Sequence, residues 1–141
     1  LVYAAPSTKL ALPFVNLGLV PEAGSSLLLP RIMGHARAAE LILLGDTFGP
    51  EKAVAYGIVN DIVDESSVLS HGLDVARKLA AKPPQALRLS RALLRRASED
   101  EVQEAIDIEV GHFTAQLAGP ETKEAFTAFF EKRAPDFSSF A

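Results

Sequence analysis

Glycine and proline punctuate this chain so regularly that they set its architecture before any other feature is read. Gly34 and Gly45 bracket one helical pattern, and Gly49-Pro50 and Gly57 bracket a second. Pro83-Pro84 separates two more, and Gly119-Pro120 and Pro135 mark the ends of the last ones. Proline suits a first helical turn, where its missing N–H costs nothing, and glycine suits the position just past a helix end. A succession of short, separate helices is therefore expected.

Hydrophobic spacing fills the intervals. Leu1–Ala5 and Leu10–Phe14 read as strands, with Pro6-Ser7-Thr8 as the turn between them. Pro21 to Ser26 opens a helix through about Met33, and His35 to Leu44 forms the next, with Ala36, Ala39 and Leu43 at helical spacing. Ile58 to Val63 is a strand candidate. Ser66 or Ser67 caps a helix to about Ala81, and Gln85 to Ala97 follows with Arg88, Arg91 and Arg95 on one stripe. Ser98 and Glu101 form a capping box, in which each side chain satisfies the other's free backbone N–H. The helix they open carries Val102, Ile106, Val110, Phe113 and Leu117 as an apolar stripe. The last helix, Glu121 to about Arg133, presents Ala125, Phe126, Phe129 and Phe130.

So much helix after so little strand leaves apolar faces for other parts of the protein or for partner subunits to cover. Leu1–Ala5 moreover reads as a strand already under way, with no initiator Met and no signal-peptide pattern. The 141 residues are expected to be the back part of a longer chain.

Composition narrows the function classes. With 48% hydrophobic and 23% charged residues the chain is not wholly disordered, and its net charge of −4 offers no general attraction for nucleic acid. No apolar run reaches the ~18 residues of a membrane-spanning helix. Cysteine is absent, which removes disulfides and thiolate ligands, and His35, His71 and His112 lie in no metal-ligand spacing. No metal site and no cofactor are expected.

Glu22 is the only acid in the first 39 positions, set among Leu17, Leu19, Val20, Pro21 and Ala23. Two readings stand side by side. Desolvation by these neighbours would raise its pKa toward the range of a general base. Alternatively it is an acid that complements a helix N-terminus. Gly24-Ser25-Ser26 likewise reads either as a loop offering N–H groups to an anion or as a helix entry with small residues for close packing. It has neither phosphate-loop spacing nor a dinucleotide fingerprint. The arginine stripe is either a phosphate site or a solvated face paired with the acidic block Glu99 to Glu109. Lys132 and Arg133 are within reach of an anionic ligand.

The segments LALPFVNLGLVPEAGSSLLLPRIMG, AAELILLGDTFGPEKAVAYGIVNDIV and FTAFFEKRAPDF resemble the crotonase superfamily of enoyl-CoA hydratases and isomerases, across its C-terminal half. The resemblance implies an α/β fold, a spiral of ββα units ending in a helical region. Residues 1–64 would close the spiral and carry the active-site segment, and residues 65–141 would cover CoA and form a trimer contact. It further implies an acyl-CoA thioester as substrate, assembly as a homotrimer or dimer of trimers, and an oxyanion hole upstream of these residues. Loss of one such donor typically costs about 10²–10³ in rate, so this stretch alone is expected to be inactive or nearly so. Hydratases of the superfamily use two glutamates, and the second aligns with Phe14, which can neither accept nor donate a proton. The resemblance is closer to the isomerases with one glutamate, and that glutamate falls on Glu22. Leu12, Phe14, Ala23 and Leu27 would line the acyl side, while Phe113 and Lys132 match positions near the CoA adenine and 3′-phosphate. A weak hydratase and a non-catalytic oligomerisation module are the alternatives. The C-terminus carries no peroxisomal signal, so a cytoplasmic location is the expectation.

Overall fold

The computed structural model describes residues 1–96 and 99–140. Among the described residues, seven α-helices and two short strands follow one another: β1 (Tyr3–Ala4), α1 (Ser25–Met33), α2 (His35–Leu44), α3 (Pro50–Ala55), β2 (Asp61–Ile62), α4 (Val68–Ala80), α5 (Pro84–Arg96), α6 (Glu99–Leu117) and α7 (Pro120–Glu131). Their contacts divide the chain into two compact units, each discontinuous in sequence.

The first unit comprises Leu1–Leu10 and Phe48–Glu101. Its strands pair in parallel, Tyr3 beside Asp61 and Ala4 beside Ile62. Asn60 donates its N–H to the Val2 carbonyl at 2.8 Å, and its side-chain oxygen accepts the Val2 N–H at 2.7 Å. The Pro6–Thr8 turn is present, closed by the Thr8 N–H on the Ala5 carbonyl at 3.1 Å. Both expected strands around β1 and β2 shrink to two residues, and Leu10–Phe14 is not a strand. Only Leu10 pairs, in a single antiparallel bridge to Phe48. Ladders need partners, and these residues supply just one short neighbour. Pro50 stands at the first position of α3, and Gly57, at φ 80°, follows its end as the punctuation predicts. Ser67 occupies the cap position of α4, yet its side chain makes no capping hydrogen bond. The 13-residue α5 begins at Pro84, and the expected Ser98–Glu101 capping box lies outside the described residues. Tyr3 meets His71 edge-on, ring centroids 4.5 Å apart, which gives that histidine a packing role.

The second unit comprises Ala11–Thr47 and Val102–Ala141. Here α1 packs on α2, with Met33, Ala38, Leu41 and Ile42 buried. The expected boundaries of α2 hold: it runs from His35 to Leu44 between Gly34 and a left-handed Gly45. Pro13 to Gly18, expected in part as strand, instead forms a single 3₁₀ turn over Val15–Leu17 that ends on Gly18 at φ 68°. Gly18 has no alternative. A Cβ there would lie 2.7 Å from the Thr122 backbone nitrogen, and the φ is one that side chains disfavour. Buried Thr122 completes the join, donating through its hydroxyl to the Gly18 carbonyl at 3.1 Å or the Gln116 carbonyl at 2.8 Å. The stretch from Phe14 to Gly18 is thereby docked on the first turn of α7.

The stripe on α6 is rotated from the one expected. Val110 and Leu117 are exposed. Val102, Ile106 and Phe113 are half-buried, and the most buried side chain of α6 is Glu109. On α7, Ala125 and Ala128 are buried, but Phe129 and Phe130 are 72% and 78% exposed and stack edge-on against each other.

Candidate active site

The segment around Glu22 folds by an unusual turn. The Glu22 carbonyl accepts the Ser25 N–H at 3.1 Å and the Ser25 hydroxyl at 2.6 Å. The two residues spanned, Ala23 at φ 59° and Gly24 at φ 74°, are both left-handed. This is the φ pattern of a type I′ turn, which glycine adopts freely and alanine does not. Gly24 is also the cap residue of α1. Helix α1 therefore starts later than the sequence suggests, and Glu22 precedes its cap by two residues instead of sitting in its first turn.

Glu22 is exposed. Leu19 is buried and Val20 and Pro21 are half-buried, so the apolar neighbours turn inward and the carboxylate turns out. The expectation that these neighbours desolvate it is not met, because adjacency in sequence does not put side chains on the same side of a turn. The alternative, an acid complementing the helix N-terminus, is met by a different residue. Glu109 reaches α1 from 85 residues away, and its Oε2 accepts the Gly24 N–H at 2.6 Å. Its other oxygen, Oε1, accepts the Ser26 N–H at 2.9 Å. An anion at exposed helical N–H groups is favourable on both hydrogen-bond and dipole grounds. Both readings of Gly24-Ser25-Ser26 hold in part: its amides bind an anion, an internal one, and a Cβ on Gly24 would meet Val102 at 3.4 Å and Ile106 at 3.6 Å.

Glu109 is the residue that sequence reading missed. A signal for it exists. Val102, Ile106, Glu109 and Phe113 are spaced by four, three and four, so an acid stands in the middle of an apolar seam. Such a position demands a partner, since a buried charge without hydrogen bonds is strongly disfavoured.

The remaining expected residues are distributed as follows. Leu12, Phe14 and Leu27 are half-buried and Ala23 is exposed, all within the continuous segment that includes the Glu22 turn. The Phe14 carbonyl accepts the Leu17 and Leu19 N–H groups at 3.0 and 2.8 Å, so Phe14 heads the 3₁₀ turn. Half-buried Phe113 lies one helical turn beyond Glu109, on the same side of α6. Exposed Lys132 is the left-handed cap of α7, at φ 56°, at the opposite end of that helix from Thr122. No hydrogen bond or ion pair among the described residues joins it to the Glu22 turn. Arg133 is engaged elsewhere, in a two-pronged pair with Glu124 and a second contact with Glu131. Of the α5 arginines, Arg91, Arg95 and Arg96 line an open groove together with Glu99 and Asp100, so both signs of charge share it, and Arg88 is not part of its lining. Among the described residues, no three His, Cys, Asp or Glu side chains come together as a metal site. No helix there is long and apolar enough to cross a membrane.

This arrangement occurs on a well-populated scaffold. The sequence model of the family described as Enoyl-CoA hydratase/isomerase matches residues 1–139. A 1,2-epoxyphenylacetyl-CoA isomerase of Escherichia coli strain K12 is 33% identical over 138 residues, which are 98% of this chain and 53% of that protein. A 2,3-dehydroadipyl-CoA hydratase of the same strain is 32% identical over 96% of this chain and 53% of its own length. The crystal structure of an enoyl-CoA hydratase/isomerase from Pseudoalteromonas atlantica T6c superposes with a TM-score of 0.94 at 39% identity, covering 98% of this chain and 56% of that one. The chain belongs to the enoyl-CoA hydratase/isomerase family, within the crotonase superfamily. It spans about half the length of the curated relatives it matches.

Proposed function

We propose that these residues belong to an enoyl-CoA isomerase that moves a double bond from the 3- to the 2-position of an acyl-CoA, with Glu22 as the single proton shuttle. The carboxylate removes a proton from C2 of the 3-enoyl thioester, the electrons pass through the enolate, and the same group returns the proton at C4. A lone base suffices for relocating a proton, whereas hydration also needs a group to activate water. Phe14, at the position matching the second hydratase glutamate, has no proton to exchange.

The observation that carries the reading is the Glu22 turn itself. A non-glycine residue at φ 59° directly beside the candidate base is held in place by a buried side chain from another helix. Strained backbone maintained in this way is a frequent mark of functional sites. Because Glu22 is open to solvent in these residues, the proposal requires the bound thioester and further parts of the protein to exclude water from it. The oxyanion donors belong to those further parts, and Leu12, Phe14, Ala23 and Leu27 would face the acyl chain. Phe113 and Lys132 would approach the CoA moiety, and the exposed Phe126, Phe129 and Phe130 suit a homotrimer contact.

Replacement Glu22→Gln in the full-length chain tests the reading. Isomerase turnover should vanish while acyl-CoA binding persists, and retained turnover rejects it. One relative named above is a hydratase, so product analysis with 2-enoyl-CoA and 3-enoyl-CoA is the companion measurement. Hydration of the former without isomerisation of the latter would assign the hydratase reaction instead.

A further inference from the structure

Glu109 is the only charged side chain among the described residues that is buried, and nothing in the proton shuttle uses it. Its carboxylate bonds Gly24 and Ser26. The residue between them, Ser25, donates its N–H and hydroxyl to the carbonyl of Glu22. Ser25 thus fixes the peptide of the candidate base, and the residues on either side of Ser25 are fixed by Glu109.

We propose that Glu109 is a positioning residue for Glu22, acting through the Ala23–Gly24 turn; this rests on the isomerase reading above. Ala23 carries a Cβ and does not favour the left-handed region by itself. Once the carboxylate is removed, the Gly24 and Ser26 N–H groups lose their acceptor, and only the Ser25 hydrogen bonds to the Glu22 carbonyl remain to hold Ala23 at φ 59°. Relaxation of that residue swings the Glu22 Cα and side chain relative to α1. A base displaced by about 1 Å loses on the order of 10²-fold in rate. The acyl-CoA contacts, by contrast, would be carried chiefly by other residues, so binding should survive.

The test uses the full-length chain with 3-enoyl-CoA, comparing Glu22→Gln, Glu109→Gln and Glu109→Asp at a temperature where each is fully folded. Gln preserves shape but turns one acceptor into a donor facing a backbone N–H. Asp keeps both acceptors on a shorter stem. Positioning predicts that Glu109→Gln lowers kcat by about 10²-fold with KM within twofold, and that Glu109→Asp recovers part of the loss. A kcat within twofold of the parent in folded Glu109→Gln overturns the proposal, as does a loss confined to KM. If Glu22→Gln retains turnover, the isomerase reading itself has failed. If Glu22→Gln is dead and Glu109→Gln is active, only the positioning role has. Should neither Glu109 variant fold, amide exchange in the parent protein decides: slow exchange at Gly24 and Ser26 supports the clamp, and exchange as fast as an open loop overturns it.

Discussion

Two irregular stretches of the second unit are tied down by glutamates, and they are tied in opposite ways. The turn before α1 is held by Glu109, which is 5% exposed and spends both oxygens on backbone N–H groups. The chain after α7 is held by Glu124, which accepts two guanidinium hydrogen bonds from Arg133 and the Asp136 N–H near the surface. A backbone donor cannot rotate away to find water, whereas the surface arginine that makes two of the three bonds of the second tie can. The first tie therefore specifies a conformation, and the second mainly shortens the excursions of a segment that solvent would also accommodate.

The largest expected effect breaks the first tie. Glu109→Ala leaves the buried Gly24 N–H and the part-buried Ser26 N–H without their acceptor, at roughly 1–3 kcal/mol each. Denaturant unfolding should show a loss of about 4 kcal/mol. A loss below about 1 kcal/mol would mean that water replaces the carboxylate and that the turn is no more constrained than the surface tie. Next comes Gly18→Ala, in the same stretch but with no charge involved. The new Cβ would approach backbone atoms of Glu121 and Thr122 at 2.7–2.8 Å in a left-handed conformation. Strain and overpacking together should cost about 2–4 kcal/mol, read as a fall in thermal midpoint. An unchanged midpoint would show that Phe14–Gly18 lifts off α7 without penalty.

The same contrast explains what the sequence could reveal. Helices α2 and α3 are legible to the residue or nearly so, because glycine and proline act within one turn of where they stand. The strands are not, because Tyr3 and Asp61 define each other across 58 positions and extend only as far as both can pair. Glu22 stands out as a lone acid among apolar residues, yet its exposure depends on how the Ala23–Gly24 turn orients it, and nothing in Pro21-Glu22-Ala23 predicts a left-handed alanine. That conformation is imposed from α6. The relevant clue was present in the four-three-four spacing through Glu109, but following Val110 instead assigns the wrong face and passes over the acid. Phe129 and Phe130 mislead for a related reason: helical periodicity says which residues share a face, not whether these residues supply anything to cover it.

The smallest expected effect concerns the second tie, and pH isolates it. Arg133's hydrogen bonds to Glu124, followed by the Asp136 N–H, hold the Glu124 carboxyl at about 2, below its ordinary 4.5. Ser138 similarly holds Asp136 below its usual value through its hydroxyl and N–H. A carboxyl with a depressed folded-state pKa binds fewer protons folded than unfolded across the interval between the two values. Its contribution is therefore complete above pH 4.5 and disappears as the pH falls toward 2. The stability difference between the parent and Glu124→Gln should be level from neutral pH down to about 5, then shrink through that interval. Because the pair lies near solvent, added salt should narrow the difference at neutral pH as well, whereas the Glu109 effect should change little with salt. A Glu124→Gln difference that stays flat to pH 2 and ignores salt would mean that packing, not charge, fastens the chain after α7, and the two ties would then be alike in kind.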